Sequence, residues 1–99
     1  MSIENVNHPK HYQRNGVECI DMMRIEFGED AVYNFCVCNA YKYLFRCEKK
    51  NGREDIQKAR WYLNYALKHF IGKNYNFRYE EVMHLLKKCL QVEEELFND

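Results

Sequence analysis

The stretch Ala31–Cys47, AVYNFCVCNAYKYLFRC, decides the fold. Apolar side chains recur on nearly every side of a helix built from it, among them Val32, Phe35 and Leu44. Because a helix that is apolar nearly all round is covered by its neighbours, we expect this one at the centre of the molecule. The basic, glycine-containing run 49–52 that follows is typical of a helix end.

Three further segments carry the apolar period of an amphipathic helix, namely residues 18–27, 54–70 and 79–97. Gly28 is placed to end the first of them. Four glycines and one proline are too few for the turns of a small β-sandwich, and no segment alternates like a strand. The sequence therefore predicts an all-α fold, a bundle of about four helices with an ordered N-terminal loop over residues 1–15.

The length of 99 residues predicts a single domain, residues 1–99, with a modest hydrophobic core. Association would add burial to so small a core, and we therefore expect a homo-oligomer. A net charge of zero argues neither for nor against a polyanionic partner, and no apolar run is long enough to span a membrane. Because no secretory signal precedes the domain, the five cysteines are expected to be reduced, mostly buried thiols of a cytoplasmic protein.

The central helix and the helix after it each carry polar side chains that share one face, at spacings i, i+3, i+4 and i+7. These are Asn39, Lys42, Tyr43 and Arg46 on the first, and Asp55, Lys58 and Tyr62 on the second, where Ala59 fills position i+4. Lys and Arg are almost never fully buried unless they are paired. Two alternatives follow: the cations pair internally with Glu18, Asp21 and Asp55, or part of the basic set stays available for phosphate groups, with Asn39 or Tyr43 contacting a base or sugar.

Other sequence motifs bear on how the chain could bind phosphate, nucleic acid or a metal ion. The chain has no GxxxxGK[ST] or GxGxxG loop, so phosphate binding would use side chains or helix N-termini. The basic residues of segment 42–60 alternate with core residues, which argues against nucleic acid as a partner. His8 and His11, in the loop segment HPKHY, could contact a phosphate, ligate a metal or transfer a proton. Cys36 and Cys38 point to different faces of a helix, and we predict no metal site.

Four ordered blocks of the chain are distinctive: NHPKHY at 7–12, GVECID at 16–21, NAYKYLFR at 39–46 and EDIQKARWYL at 54–63, with Lys50 between the last two. Together they resemble DUF3310, a family of small bacteriophage proteins that carries the label nucleotide kinase. The resemblance covers residues 5–67 and leaves out the amphipathic helix 79–97. It implies a phage-encoded, nucleotide-binding protein of the host cytoplasm. The positions that match the family's motifs are His8, His11, Tyr12, Glu18, Asp21, Asn39, Lys42, Tyr43, Arg46, Lys50, Asp55, Lys58 and Tyr62.

The first hypothesis that the resemblance implies is a nucleoside-monophosphate kinase without a P-loop, with catalytic residues Asp21, Asp55 and His11. Asp21 or Asp55 would hold Mg²⁺, and ATP would be the phosphate donor. Mg²⁺ and ATP follow only from this hypothesis, and no other cofactor is expected. The nucleotide would be held by His8, His11, Tyr12, Asn39, Lys42, Tyr43, Arg46, Lys50, Lys58 and Tyr62.

The alternative hypothesis is a non-catalytic sponge that sequesters a nucleotide-derived immune signal and so counters host antiphage defence. A third is a helical module that binds a host protein or nucleic acid through segment 42–60. An all-α nucleoside-triphosphate pyrophosphatase would need paired acidic motifs on successive helices, and the chain supplies one, Glu18–Asp21.

Overall fold

Four helices account for most of the chain in the computed structural model, which describes residues 13, 14, 17–70 and 76–97. They are α1 (Cys19–Phe27), α2 (Glu29–Arg46), α3 (Arg53–His69) and α4 (Asn76–Phe97). Two-residue strands, β1 (Gln13–Arg14) and β2 (Val17–Glu18), pair antiparallel just before α1. The predicted all-α class is confirmed, and this short ribbon is the feature that the sequence pattern did not predict.

Helix α2 lies at the centre of the bundle, where it packs against α1, α3 and α4. The expectation that it is apolar and covered nearly all round is wrong for one side. Val32, Cys36 and Ala40 are buried, yet Phe45 is 82% exposed and Tyr41 is 55% exposed. Three neighbouring helices cover only part of the circumference of a helix, so the outer stripe of α2 faces solvent.

The hydrophobic core forms where α2, α3 and α4 meet. Its wholly buried members include Ile56, Leu63 and Val82. Three of the five cysteines also belong to the core, namely Cys36, Cys47 and Cys89, whereas Cys19 and Cys38 are exposed. Burial raises the pKa of the Cys36 thiol to about 12 and that of Cys89 to about 11. The prediction of mostly buried thiols therefore holds for three cysteines.

The connection between α1 and α2 is a single glycine. Gly28 has a φ of 95°, a conformation that other residues rarely adopt, and its N–H donates to Arg24 O at 3.0 Å. The predicted helix stop at Gly28 is confirmed. The turn is so short that α2 begins at once, and the two helices pack against each other.

An ion pair ties α4 to α3. Arg60 Nη1 and Nη2 donate to Glu93 Oε2 and Oε1 at 3.2 Å and 3.0 Å, a bidentate arrangement. The hydrogen bond from Arg60 lowers the pKa of the Glu93 carboxyl.

No helix within the described ranges is both long and apolar enough to cross a membrane.

Candidate functional site

Three cations surround a single tyrosine ring between α2 and α3. Lys42 Nζ lies 4.4 Å from the centroid of the Tyr43 ring, Arg46 Cζ lies 4.7 Å from it, and Lys58 Nζ lies 5.5 Å from it. Lys42, Tyr43 and Arg46 share a face of α2 because of their helical spacing, and Lys58 reaches the ring from α3. We call Lys42, Tyr43, Arg46, Lys58 and Tyr62 the basic–aromatic cluster.

Two carboxylates neutralise part of the charge of this cluster. Arg46 donates from Nη2 to Asp55 Oδ1 at 3.3 Å and from Nε to Oδ2 at 3.4 Å. Lys58 Nζ lies 3.1 Å from Glu54 Oε1, one turn earlier on α3. Lys42, whose side chain is exposed, forms no ion pair with any residue of the described ranges. Three cations against two carboxylates leave one positive charge at the cluster.

The Asp55 carboxylate is buried, and its hydrogen bonds connect neighbouring parts of the fold. It is 0% exposed, and besides Arg46 its Oδ2 accepts the backbone N–H of Asn51 at 3.2 Å. The carboxylate thereby joins the start of α3 to the turn that follows α2. Because both oxygens are engaged and shielded, Asp55 offers no exposed oxygen to a metal ion. Its position suits a residue that orients Arg46 rather than one that holds Mg²⁺.

Part of the Arg46 guanidinium is not hydrogen-bonded to Asp55. Asp55 takes the Nε–H and one Nη2 hydrogen, and the side chain is 34% exposed. The Nη1 hydrogens and the second Nη2 hydrogen form no hydrogen bond with other described residues. That remaining edge can bind two oxygens of one phosphate, the geometry that favours Arg over Lys at such sites.

An aromatic strip continues from the cluster along α3. The rings of Tyr43 and Tyr62 stack at 6.1 Å with an interplanar angle of 12°, and Phe35 meets Tyr62 edge-on at 5.6 Å. Trp61 contacts Tyr62 at 5.1 Å and stacks on Tyr65 at 5.7 Å. The strip gives apolar, π-rich surface beside the positive charge.

Asn39 lies on this side of α2, one turn after Phe35 and one turn before Tyr43. It is half-buried, and its amide forms no hydrogen bond with another described residue. A partly covered amide beside aromatic rings and cations is suited to hydrogen-bonding a base or a sugar. The structure thus brings together five of the predicted nucleotide-binding residues, and helical spacing places Asn39 on the same face of α2.

Asp21 does not join the basic–aromatic cluster. Its Oδ1 accepts the hydroxyl of Tyr65 at 2.6 Å, and Arg24 Nη2 lies 3.7 Å away. Arg24 Nη1 also donates to His69 Nδ1 at 2.7 Å, so that nitrogen carries the lone pair. Burial, with the hydrogen bond to Asp21, raises the pKa of the Tyr65 hydroxyl. Asp21 therefore belongs to a second polar group, with Arg24, Tyr65 and His69, at the other end of the strip.

Sequence reasoning missed this second polar group and the carboxylate of Glu54. Tyr62, Tyr65 and His69 are spaced i, i+3 and i+7, so a search of α3 for shared faces could have found their common side. The i, i+3 spacing of Asp21 and Arg24 was an available signal as well. Nothing in the sequence indicated which of these groups would meet across α1 and α3.

The remaining predicted residues fall outside these groups. His8, His11 and Tyr12 lie outside the described residues, as does the predicted N-terminal loop apart from β1. Lys50 is exposed in the turn between α2 and α3. In the part of the chain that the structure describes, no three His, Cys, Asp or Glu side chains are grouped so that they could hold a metal ion.

Comparison with known proteins yields one result. A family model described as "Protein of unknown function (DUF3310)" matches residues 6–64, which is more than half of the chain. The match includes α1, α2, most of α3 and all five residues of the basic–aromatic cluster, and it ends before α4. No match was found among curated proteins or among solved structures.

Proposed function

The chain belongs to the DUF3310 family, and on that premise we propose that it binds a nucleotide through phosphate groups at the basic–aromatic cluster. The observation that carries the proposal is the convergence of three cations within 5.5 Å of one tyrosine ring, with two carboxylates to balance them. The surplus charge at Lys42 can attract an anion, because Lys42 forms no ion pair with any acid of the described residues.

The surroundings of the charge favour a nucleotide over a simple anion. Arg46 retains a two-donor edge for phosphate oxygens, and Lys42 can add a second contact from the solvent side. The strip of Tyr62 and Trp61 offers ring faces and edges to a base, and Asn39 offers both a donor and an acceptor. Phosphate, sugar and base are thus matched by different chemical groups within one region of α2 and α3.

Binding without turnover is the form of this function that the described residues favour. It requires only the cluster, as in a sponge that sequesters a nucleotide-derived signal. Phosphoryl transfer would also require a carboxylate for Mg²⁺, and Asp55 is wholly buried.

A kinase is the second candidate, and one observation favours it. Asp21 is a carboxylate with a 35% exposed side chain at the far end of the same aromatic strip. It lies beside the hydroxyl of Tyr65, which follows Tyr62 by one helical turn, about 5 Å of rise along the axis. In this form of the function, the phosphates would extend from the basic–aromatic cluster along the strip toward Asp21, and that carboxylate would hold Mg²⁺.

The direct test measures binding first. Isothermal titration with nucleoside mono-, di- and triphosphates, and a native mass spectrum of the purified protein, would detect affinity and any retained ligand. Lys42→Met should weaken binding about tenfold, because a charge-assisted contact is worth about 1.5–3 kcal/mol and this one is partly solvated. Lys88→Met, which removes an exposed lysine of α4 outside the cluster, is the matched control and should bind like the unaltered protein. Absence of binding to every nucleotide, or equal binding by both variants, would refute the proposal.

A second measurement separates the two candidates. The protein is incubated with ATP, Mg²⁺ and each nucleoside monophosphate, and the products are separated by chromatography. Ligand recovered unchanged supports sequestration. Formation of a nucleoside diphosphate supports the kinase, in which case Asp21→Asn should abolish turnover and preserve binding.

A further inference from the structure

The C-terminal end of α4 contacts the turn 47–52 that joins α2 to α3. A Cβ placed on Gly52 would lie 3.5 Å from Phe97 Cε1, so the Phe97 ring packs directly over this glycine. The guanidinium of Arg53 donates to the backbone carbonyl of Phe97 and fixes the end of the helix there. Phe97 lies well outside the family match at 6–64, so this support comes from the part of the chain beyond it.

The turn depends on Gly52 for its shape. Gly52 has a φ of 58°, and its N–H donates to Cys47 O at 2.9 Å. Its carbonyl accepts the Asp55 N–H at 3.1 Å. These bonds close the turn, and they direct the N–H of the preceding residue, Asn51, toward the Asp55 side chain, which it reaches at 3.2 Å.

Asp55 transmits the shape of the turn to the basic–aromatic cluster. The same Oδ2 that accepts the Asn51 N–H also accepts Arg46 Nε, and Oδ1 accepts Arg46 Nη2. Because Asp55 is fully buried, its rotamer is set by these partners rather than by water. The carboxylate in turn holds the guanidinium 4.7 Å from the Tyr43 ring centroid.

We infer that Phe97 is a positioning residue for Arg46: its ring holds turn 47–52, the turn orients Asp55, and Asp55 fixes the guanidinium that binds phosphate. The inference rests on the proposed function. Phe97 itself touches no ligand. Its effect is on the freedom of Arg46, since a long side chain that is already ordered loses less entropy when it binds.

The experiment compares Phe97→Ala, Phe97→Leu and Leu86→Ala with the unaltered protein. Leu86 is a partly buried residue of α4 that packs against the core, and it lies eleven residues before Phe97, about 16 Å along the helix. Exchange of the Asn51 amide and the Arg46 Nε–H signal are followed by NMR, and affinity for inorganic pyrophosphate is measured by calorimetry. Phe97→Ala should speed exchange of the Asn51 amide, broaden the Arg46 signal and weaken pyrophosphate binding about 2- to 10-fold. Phe97→Leu, which keeps an apolar side chain over the turn, should behave much like the unaltered protein in all three measurements.

The control separates positioning from general destabilisation. Leu86→Ala should lower the unfolding temperature while the Asn51 and Arg46 signals and the pyrophosphate affinity stay unchanged. Equal pyrophosphate affinity in Phe97→Ala and the unaltered protein would overturn the inference, as would the same loss in Leu86→Ala. If the unaltered protein binds neither pyrophosphate nor any nucleotide, the proposed function fails. The NMR signals of Asn51 and Arg46 then still decide whether Phe97 orders the guanidinium.

Discussion

Replacement of Asp55 distinguishes a structural carboxylate from a metal ligand. Asp55 is 0% exposed and receives hydrogen bonds from Arg46 at 3.3 and 3.4 Å and from the Asn51 N–H at 3.2 Å. If its role is to hold these groups, Asp55→Ala must destabilise the fold. If its role is to bind Mg²⁺, the substitution should leave stability unchanged and affect turnover alone.

The contacts set the size of the expected loss. Removing one partner of a buried ion pair costs about 3–5 kcal/mol, since the other charge is left buried. The Arg46 side chain is 34% exposed, so water can replace part of what Asp55 supplied, and the bonds are long. We therefore expect Asp55→Ala to lower the free energy of unfolding by about 3 kcal/mol. For a chain of this length that corresponds to a fall of about 15 °C in unfolding temperature.

Urea and thermal unfolding followed by circular dichroism measure this loss. Glu54→Ala is the matched control, because Glu54 is the preceding acid and forms a single i, i+4 pair with Lys58, whose loss should cost about 0.5 kcal/mol. Combining Asp55→Ala with Arg46→Met should reveal a coupling of about 1 kcal/mol between the two sites. If Asp55→Ala is as stable as the unaltered protein, or more stable, the assignment of Asp55 as a structural residue is wrong.

Three further outcomes follow from the fold. Leu63→Ala, at a site that is 0% exposed, should lower the free energy of unfolding by about 3 kcal/mol, as measured in urea. Arg60 lowers the pKa of the Glu93 carboxyl, so the stabilisation is present above the ordinary carboxyl pKa and is lost as pH falls through the folded value. Glu93→Gln should therefore be destabilised at neutral pH, and its stability should approach that of the unaltered protein as the pH falls below the lowered pKa of Glu93. Cys19 and Cys38 should react quickly with an aromatic disulfide reagent, whereas the buried thiols of Cys36, Cys47 and Cys89 should react only after unfolding.

The charge of the basic–aromatic cluster explains how the same residues can serve the fold and a ligand. Complete pairing would have satisfied the cations internally and left nothing for an anion. Complete absence of acids would have placed three like charges around one ring, a costly arrangement in the free protein. Asp55 and Glu54 offset two of the charges and leave Lys42 as the surplus. We expect this balance to permit stable folding without ligand and still attract one phosphate group.

Helical periodicity alone predicted which basic and aromatic side chains share one face of α2. The spacing of Lys42, Tyr43 and Arg46 put them on one face, and that face is what meets Lys58 of α3. Gly28 was identifiable as a helix end because few other residues adopt a positive φ at no cost. A shared helix face and a helix end both depend on local backbone geometry, and that geometry is the same in every α-helix.

Only the tertiary structure decided which acids meet which bases. Asp21 and Asp55 looked equivalent as partners of the basic face, yet Asp55 is buried against Arg46 and Asp21 bonds to Tyr65. The exposure of Phe45 was equally hidden in its apolar surroundings. Sequence determined the helices and the faces that they present, because those follow from a repeat along one chain. The pairing of faces depends on how the turns and the core orient whole helices, and that orientation is a property of distant residues acting together.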